Sequence, residues 1–257
     1  MILTADYHTH TTYSHGKGTV LENAISAKEN ALKEIGITDH GFSHPAFGLR
    51  KHKLSHLIED CKKATEETGV KVLVGIESNI IGVDGKVDLK EKYYDKFDIF
   101  LAGLHKLVMF KPNSIFQYGL ANLFCAALKY TPSKSLIKRN TKAYINVIKN
   151  NPVDIITHVN FCCPCDPVEV AKVAADYGTH IELNAKKIHL SEEQLFAVGQ
   201  TGAKFVIDSD AHSPNRVGEI SLVLEQLKKI DFPIDYIMNI DGRLPEFRFK
   251  AFKEKSL

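Results

Sequence analysis

Seven short apolar runs alternate with longer segments of helical periodicity, and this alternation constrains the fold more than any other feature of the chain. Each run is rich in Ile, Val, Leu or Phe, as strands that are buried on both faces usually are. Strands that alternate with helices pair in parallel through right-handed crossovers. The predicted strands are residues 3–8, 34–38, 71–76, 99–103, 154–157, 180–183 and 204–207.

Two of the intervening segments carry start signals for a helix. Thr19 and Glu22 have the spacing of a capping box ahead of a helix predicted over 20–33. Asp166 followed by Pro167 begins a helix predicted over 168–177, and Gly178 ends it. An apolar stripe predicts another helix over 217–230. These helices supply the crossovers that parallel strands require.

Polar residues at the carboxyl ends of the strands favour a closed barrel over an open doubly wound sheet, because barrel enzymes place their chemistry at that rim. No glycine-rich phosphate loop follows the first strand, which argues against a nucleotide-binding Rossmann domain. Residues 106–142 break the alternation and contain an apolar piece at 118–128, so they are predicted to be a helical insertion after the fourth strand. We therefore expect one α/β barrel domain over residues 1–257, with an insertion at about 106–142.

The composition excludes several classes of protein. The 257 residues carry 33 basic and 31 acidic side chains, and this balance argues against a surface for nucleic acid or membranes. No apolar run approaches the ~20 residues of a membrane helix, and the first residues lack the basic region of a signal peptide. An odd number of cysteines, five, fits a reducing compartment. We expect a cytoplasmic protein with a small molecule as its partner.

Imidazoles and carboxylates lie at or just after the ends of six of the seven predicted strands. His8 and His10 are two residues apart on one strand, so their side chains point the same way. Asp210 and His212 repeat that spacing after the last strand. A single His-x-His is weak support for a metal site, but convergence from six strands is far more specific. The candidate metal ligands are His8, His10, His15, His40, Glu77, His105, His158, Asp210 and His212.

This ligand set predicts a cluster of ions. One tetrahedral zinc site takes three protein ligands and a water molecule, so nine candidates imply two or three ions. Imidazole together with carboxylate suits Zn²⁺, Mn²⁺ or Fe, and disfavours Mg²⁺ or Ca²⁺ alone. We expect two to three divalent transition metal ions, with zinc as the first choice.

Five short motifs lie at the ends of the predicted strands: Asp6-Tyr7-His8-Thr9-His10, Thr38-Asp39-His40-Gly41, Gly75-Ile76-Glu77, Gly103-Leu104-His105 and Ser209-Asp210-Ala211-His212. Together they resemble the motifs of the polymerase and histidinol phosphatase (PHP) family. The resemblance extends from residue 5 to about residue 220, and its closest branch is the bacterial trinuclear-zinc phosphatases with a distorted (βα)7 barrel. It implies that His8, His10, Glu77 and Asp210 hold one ion, that Glu77, His105 and His158 hold a second, and that His15, His40 and His212 hold the third.

A hydrolytic mechanism follows as a hypothesis. A hydroxide that bridges two ions would attack a phosphoryl group, and the same ions would neutralise the charge that builds up. Glu77 and Asp210 belong to the catalytic set, Arg216 is the preferred phosphate-binding cation among several that include Lys186, and His44 is a candidate proton donor.

Other residues near the strand ends carry weaker signals. Asp6, Asp39 and Asp208 are expected either to orient ligand histidines or to serve as ordinary polar partners. The cysteines at 162, 163 and 165 could bind a metal, although a reduced loop beside the site is the simpler interpretation, because no second cysteine pair exists.

Several functions stay open. The first is a phosphomonoesterase that acts on a small phosphorylated metabolite, and histidinol phosphate is a specific substrate within that class. A 3′–5′ nuclease or proofreading module is the alternative, which the balanced charge disfavours. A non-enzymatic binding protein would require the loss of ligands, and all nine are present.

Overall fold

The seven predicted strands are all present in the computed structural model, which describes residues 1–105, 108–110, 119–128 and 131–256. Their ends shift by only a few residues from the predicted ones. The third strand is the longest and the fifth is the shortest. The strands are β1 Ala5–Thr9, β2 Glu34–Ile37, β3 Lys71–Asn79, β4 Ile99–Gly103, β5 Ile155–Ile156, β6 His180–Asn184 and β7 Phe205–Asp208.

The strands form one parallel sheet in sequence order, β1 to β7. The two outer strands approach each other through a parallel bridge between Thr9 and Ala211, where His10 N donates to Ala211 O at 2.8 Å. The sheet is therefore a nearly closed barrel, and the predicted distorted (βα)7 barrel is confirmed. All carboxyl ends of the strands lie at one rim.

Helices cover the outside of the barrel. The helix predicted over 20–33 begins as expected with a complete capping box at Thr19 and Glu22. It ends earlier, because Ala31 adopts a left-handed φ of 55° on the way into β2. The helices are α1 Val20–Glu29, α2 Leu54–Thr68, α3 Ala121–Leu128, α4 Lys134–Asn150, α5 Pro167–Tyr177, α6 Glu192–Gly199, α7 Ser221–Leu227 and α8 Arg248–Ser256.

Two helices, α3 and α4, lie between β4 and β5, where the insertion is predicted. Helix α4 packs against α5 and leads into β5, so it serves as the crossover of this barrel unit. It begins at Lys134, ahead of the predicted end of the insertion at 142. Residues 106–107, 111–118 and 129–130 of the predicted insertion lie outside the described residues. Within the described part of the chain, we find no helix with the length and apolar character needed to cross a membrane.

The barrel interior is apolar at one end and polar at the other. Leu73, Leu101 and Val206 belong to a small cluster of buried side chains inside the barrel. Glu77, His105 and Asp210 follow them at a separation of four residues. Residues at an even separation along a strand face the same side, so Glu77 continues the inward face of Leu73 on β3, whereas His105 and Asp210 lie just past the ends of β4 and β7. A second, larger core fills the space between strands and helices.

Candidate metal centre

Glu77 lies at the middle of the predicted ligand set, fully buried at the end of β3. Its Oε2 atom is 2.9 Å from His40 Nδ1, 3.1 Å from His105 Nε2 and 3.3 Å from His8 Nε2. His10 Nε2 is also near, at 3.7 Å. Four imidazole nitrogens from three other strand ends therefore surround one carboxylate oxygen.

The other oxygen of Glu77 has a separate environment. Oε1 is 2.7 Å from His158 Nε2 and accepts a hydrogen bond from Thr157 Oγ1 at 3.0 Å. The backbone of His158 has a φ of 30°, in the left-handed region that non-glycine residues rarely adopt. Such strain persists where the surrounding structure enforces it, and here it accompanies a side chain aimed at Glu77.

Asp210 is the second carboxylate of the centre, and its φ of 48° is also left-handed. Its Oδ1 lies 3.4 Å from His10 Nε2 and 3.2 Å from His212 Nδ1. Asn184 Nδ2 donates to its Oδ2 at 3.2 Å, and Lys186 Nζ is 3.4 Å from Oδ1. Asp210 thus connects the ligands of β1 to the loop after β6.

His15 joins the centre at its outer edge. Its ring stacks on His40 with 4.8 Å between centroids and meets His212 edge-on at 4.4 Å. All nine predicted ligands are therefore brought together. Three groups have ligand atoms within 4.8 Å of one another: His8, His10 and Asp210; His40, Glu77 and His105; and His10, His40 and His212. This grouping overlaps the sets that the resemblance implies, without reproducing the pairing of His158 or His15.

The polar atoms of these residues fit metal ions. Glu77 Oε2 and the His40 Nδ1 that faces it are both buried and have no hydrogen-bond partner. A buried carboxylate oxygen without a partner is costly, yet Oε2 faces four imidazole nitrogens. Cations among these atoms would satisfy both, and a mixed imidazole and carboxylate set suits transition metals.

The electrostatics favour the metal-binding forms of Glu77, His40 and His15. Burial raises the pKa of Glu77, but the neighbouring His105 and His8 outweigh it and bring the pKa well below the usual value. Burial, together with nearby histidines, lowers the pKa of His40 to about 3 and that of His15 to about 4. Ionised carboxylates and neutral imidazoles are the forms that ligate metal ions. Burial lowers the pKa of His8 and of His158, but the neighbouring carboxylates outweigh it and raise the pKa of both, so metal binding would release protons from these two imidazoles.

Strand β6, the one predicted strand without a candidate ligand at its end, supplies a residue that the sequence analysis did not identify as functional. Glu182 on β6 is buried, and its Oε1 lies 2.5 Å from His8 Nδ1. Its Oε2 accepts from His158 N at 2.5 Å and from Asn184 Nδ2 at 3.0 Å. A similar contact joins His105 Nδ1 to an amide oxygen, that of Asn79, at 2.8 Å. The available signal was a charged residue inside the apolar run Ile-Glu-Leu.

The three aspartates considered for orienting ligand histidines have other partners. Asp39 accepts from Thr11 N at 2.8 Å and from Ser14 Oγ at 2.5 Å, so it holds the loop between His10 and His15. Asp6 accepts from Ser209 N and Gly218 N, and Asp208 accepts from Tyr7 N. The interpretation as ordinary polar partners is correct for these residues.

A polar cavity of about 360 Å³ opens above the centre. Lys186 and His44 line it, together with the aromatic side chains of Phe47 and Phe161. Arg216, the preferred phosphate-binding cation, is exposed and is not among the residues that line this cavity, because it lies in a short 3-10 segment beyond His212. Of the two basic residues that the sequence analysis names, Lys186 lines the cavity and Arg216 does not.

The cysteine-rich loop after β5 packs beside the cavity. Cys165 Sγ donates to Asn160 Oδ1 at 3.3 Å, and burial raises the pKa of its thiol well above the usual value. Cys163 is fully buried and Cys162 is half-buried. Among the described residues, the candidate metal groups consist of histidine, aspartate and glutamate.

Comparisons with known proteins agree with this geometry. The family model described as PHP domain matches residues 6–215. A probable phosphatase of Thermoanaerobacter sp. (strain X514) is 34% identical over 96% of this chain and 95% of its own length. A probable phosphatase of Proteus mirabilis is 34% identical over 93% and 90%. The histidinol phosphate phosphatase of Lactococcus lactis, solved with zinc, L-histidinol and phosphate, has the same fold, with a TM-score of 0.61 at 15% identity over 96% of this chain and 100% of that one.

Proposed function

The chain belongs to the PHP domain family, and from that premise we propose that it is a metal-dependent phosphomonoesterase acting on a small phosphorylated substrate. One observation carries the proposal: the buried Glu77 carboxylate faces four imidazole nitrogens at the floor of a cavity that also holds a lysine. The probable phosphatases that resemble the chain over nearly its whole length support the same reaction class.

We propose that the nine predicted ligands hold two to three divalent transition metal ions. Zinc is the first choice, because the L. lactis enzyme of the same fold contains it, and manganese or iron also suits these ligands. Bound ions would lower the pKa of a water ligand towards neutrality and would neutralise charge on phosphoryl oxygens. Glu77 would help to hold these ions, because its two oxygens face different histidines, Oε2 facing His40 and Oε1 facing His158.

Lys186 is the residue we propose to hold the phosphate group. Its Nζ lies 3.1 Å from His212 Nδ1 and 3.4 Å from Asp210 Oδ1, at the boundary between the centre and the cavity. An ammonium group there would donate hydrogen bonds to phosphoryl oxygens as they gain charge. This role is proposed for Lys186 in place of Arg216.

His44 is proposed as a hydrogen-bond donor to the substrate. Phe47 N donates to its Nδ1 at 3.0 Å, so in the neutral imidazole the proton lies on Nε2. Protonation of Nδ1 would break that hydrogen bond, which disfavours a role as general acid through an imidazolium ion. The residue lines the cavity, where Nε2–H would position the ester.

The domain organisation and the cellular location of the chain are also proposals. We propose a single domain over residues 1–257 and a cytoplasmic location. None of the four described cysteines takes part in a disulfide, which is typical of a reducing compartment.

The test compares substrates on protein of known metal content. The purified chain is stripped with a chelator, reloaded with Zn²⁺ or Mn²⁺, and given p-nitrophenyl phosphate, histidinol phosphate and single-stranded DNA. We expect phosphate release from the first ester without cleavage of DNA. Preferred cleavage of DNA ends would favour the nuclease. Preferred hydrolysis of histidinol phosphate would identify the substrate named for the L. lactis enzyme.

Two histidine variants provide the matched control. His10→Ala removes a buried ligand nitrogen 3.4 Å from Asp210, whereas His52→Ala removes an exposed imidazole outside the site. We expect His10→Ala to lose turnover and bound metal, and His52→Ala to keep both. Equal rates in the two variants, or a metal-replete protein that releases no phosphate from any ester, would overturn the proposal.

A further inference from the structure

A second cavity of about 640 Å³ lies beside the polar one, and its walls are mostly apolar. Leu104 and Val108 line it from the segment after β4, Leu120 lines it from just before α3, and Leu123 lines it from the first turn of α3. The volume lies in the range of 300–1,000 Å³ that is typical of small-molecule sites.

The polar residues of this apolar cavity have their polar atoms engaged elsewhere. Asn122 and Asn140 form two reciprocal hydrogen bonds, of 3.0 and 2.7 Å, between their side-chain amides. His105 has Nδ1 against Asn79 Oδ1 at 2.8 Å and Nε2 against Glu77 at 3.1 Å. The described residues that line the cavity therefore offer an apolar surface with little capacity for hydrogen bonds to a ligand.

The two cavities adjoin along one boundary. The ring of His105 lines both. His44 lines the polar cavity and the next residue, Pro45, lines the apolar one; Phe161 and Cys162 divide in the same way. A ligand with its phosphate at the metal centre would thus reach the apolar cavity by passing the ring of His105.

We propose, building on the proposed function, that the substrate is a phosphate monoester of a bulky apolar alcohol. Its phosphate would lie beside Lys186 in the polar cavity, and its hydrocarbon part would fill the apolar one. The hydroxyl groups of a sugar or nucleoside would lose their hydrogen bonds to water in such a cavity, and this loss disfavours those esters.

Hydrolysis uses the ester and one water molecule. The oxygen of water forms a bond to phosphorus, and the bond between phosphorus and the ester oxygen breaks. The released oxygen takes up a proton that water supplied, so the products are inorganic phosphate and the apolar alcohol.

The experiment uses ethyl, butyl and hexyl phosphate, whose leaving groups have nearly equal acidity. A fully buried methylene group raises kcat/KM about fourfold, so the hexyl ester should exceed the ethyl ester by up to about 200-fold. Leu123→Asn should lower this hexyl-to-ethyl ratio about tenfold. Phe124→Asn, one residue further along α3 with a side chain that is 58% exposed, should leave the ratio and the rates unchanged.

The outcomes separate this inference from the proposed function. Equal kcat/KM values for ethyl and hexyl phosphate would refute the proposal of an apolar substrate, but they would leave the proposed phosphomonoesterase activity intact. A preference for glycerol phosphate or glucose phosphate over hexyl phosphate would do the same. An equal loss of the ratio in Phe124→Asn and Leu123→Asn would also refute the assignment to this cavity. No phosphate release from any ester by the metal-loaded enzyme would instead remove the proposed function.

Discussion

Glu182 provides the sharpest test of how the centre is held together. Its two oxygens accept from three donors: His8 Nδ1 at 2.5 Å, His158 N at 2.5 Å and Asn184 Nδ2 at 3.0 Å. Glutamine at this position would have a single acceptor oxygen. Its amide NH2 would face either His8 or the backbone of His158, and both of those groups donate. Glu182→Gln therefore leaves at least one buried donor without a partner, while the size of the side chain stays almost constant.

Two independent estimates give the metal-binding free energy that Glu182→Gln should lose. A buried hydrogen bond to a charged group contributes about 1.5–3 kcal/mol. Loss of a carboxylate that orients a ligand histidine typically costs roughly 10- to 100-fold in metal affinity, or about 1.4–2.7 kcal/mol. The two ranges agree, so we expect Glu182→Gln to weaken the binding of the ion held through His8 by about 10- to 100-fold.

The assay is a competitive titration of metal-free protein with Zn²⁺ in the presence of a chelating indicator, accompanied by phosphate release at each metal concentration. Turnover should shift to higher Zn²⁺ concentrations. Glu66→Gln removes the same atoms from a carboxylate that is 63% exposed on α2 and should bind metal like the parent protein. If Glu182→Gln also bound metal with parental affinity, while its unfolding curve showed an intact fold, the proposed orienting role would be wrong.

Three more predictions follow from the surroundings of Lys186, Gly103 and His180. Lys186→Met should raise KM for phosphate esters about tenfold, a value reduced by the 47% exposure of the side chain; an unchanged KM would refute the phosphate role. Gly103→Ala should cost about 1–3 kcal/mol in urea unfolding and slow turnover, because its Cβ would lie 2.1 Å from Thr157 Oγ1; parental stability would contradict this. Burial lowers the pKa of His180 to about 4, whereas an unfolded histidine titrates near 6.5. As the pH falls, this histidine is protonated in the unfolded chain before it is protonated in the folded one. Its contribution to the free energy of unfolding of the metal-free protein should therefore fall by up to about 3 kcal/mol between pH 6.5 and pH 4. In His180→Phe the thermal midpoint should fall less steeply with decreasing pH than in the parent protein. Parallel plots of midpoint against pH for the two proteins would show that His180 is not the cause of the fall.

Much of the fold was predictable because its signals are local. Thr19 and Glu22 mark the start of α1 correctly, and Asp166 with Pro167 does the same for α5. Element ends were less predictable where one residue turns the chain. Gly218, with a φ of 77°, delays the helix predicted over 217–230, which spans Ser221–Leu227.

Some residues of the candidate site could also be predicted from local signals, and others could not. The ligands could be found because each is an imidazole or carboxylate at the end of a strand, a position readable from the strand alone. Glu182 was overlooked, since it lies within a strand and its role depends on a side chain 174 residues away. Arg216 was favoured because a guanidinium can hold phosphate through paired donors, but its position faces solvent, while Lys186 reaches Asp210 from the neighbouring loop.

The barrel class, the rim that carries the candidate site and the nine side chains that meet there can all be read from the amino-acid sequence, because strand periodicity and strand ends are properties of short segments. Three relations required the folded chain: which oxygen of Glu77 faces which imidazole, the contact of Glu182 with His8, and the boundary that the apolar and polar cavities share at His105. Those relations join residues far apart in the chain, and they are fixed by barrel closure and by side-chain packing.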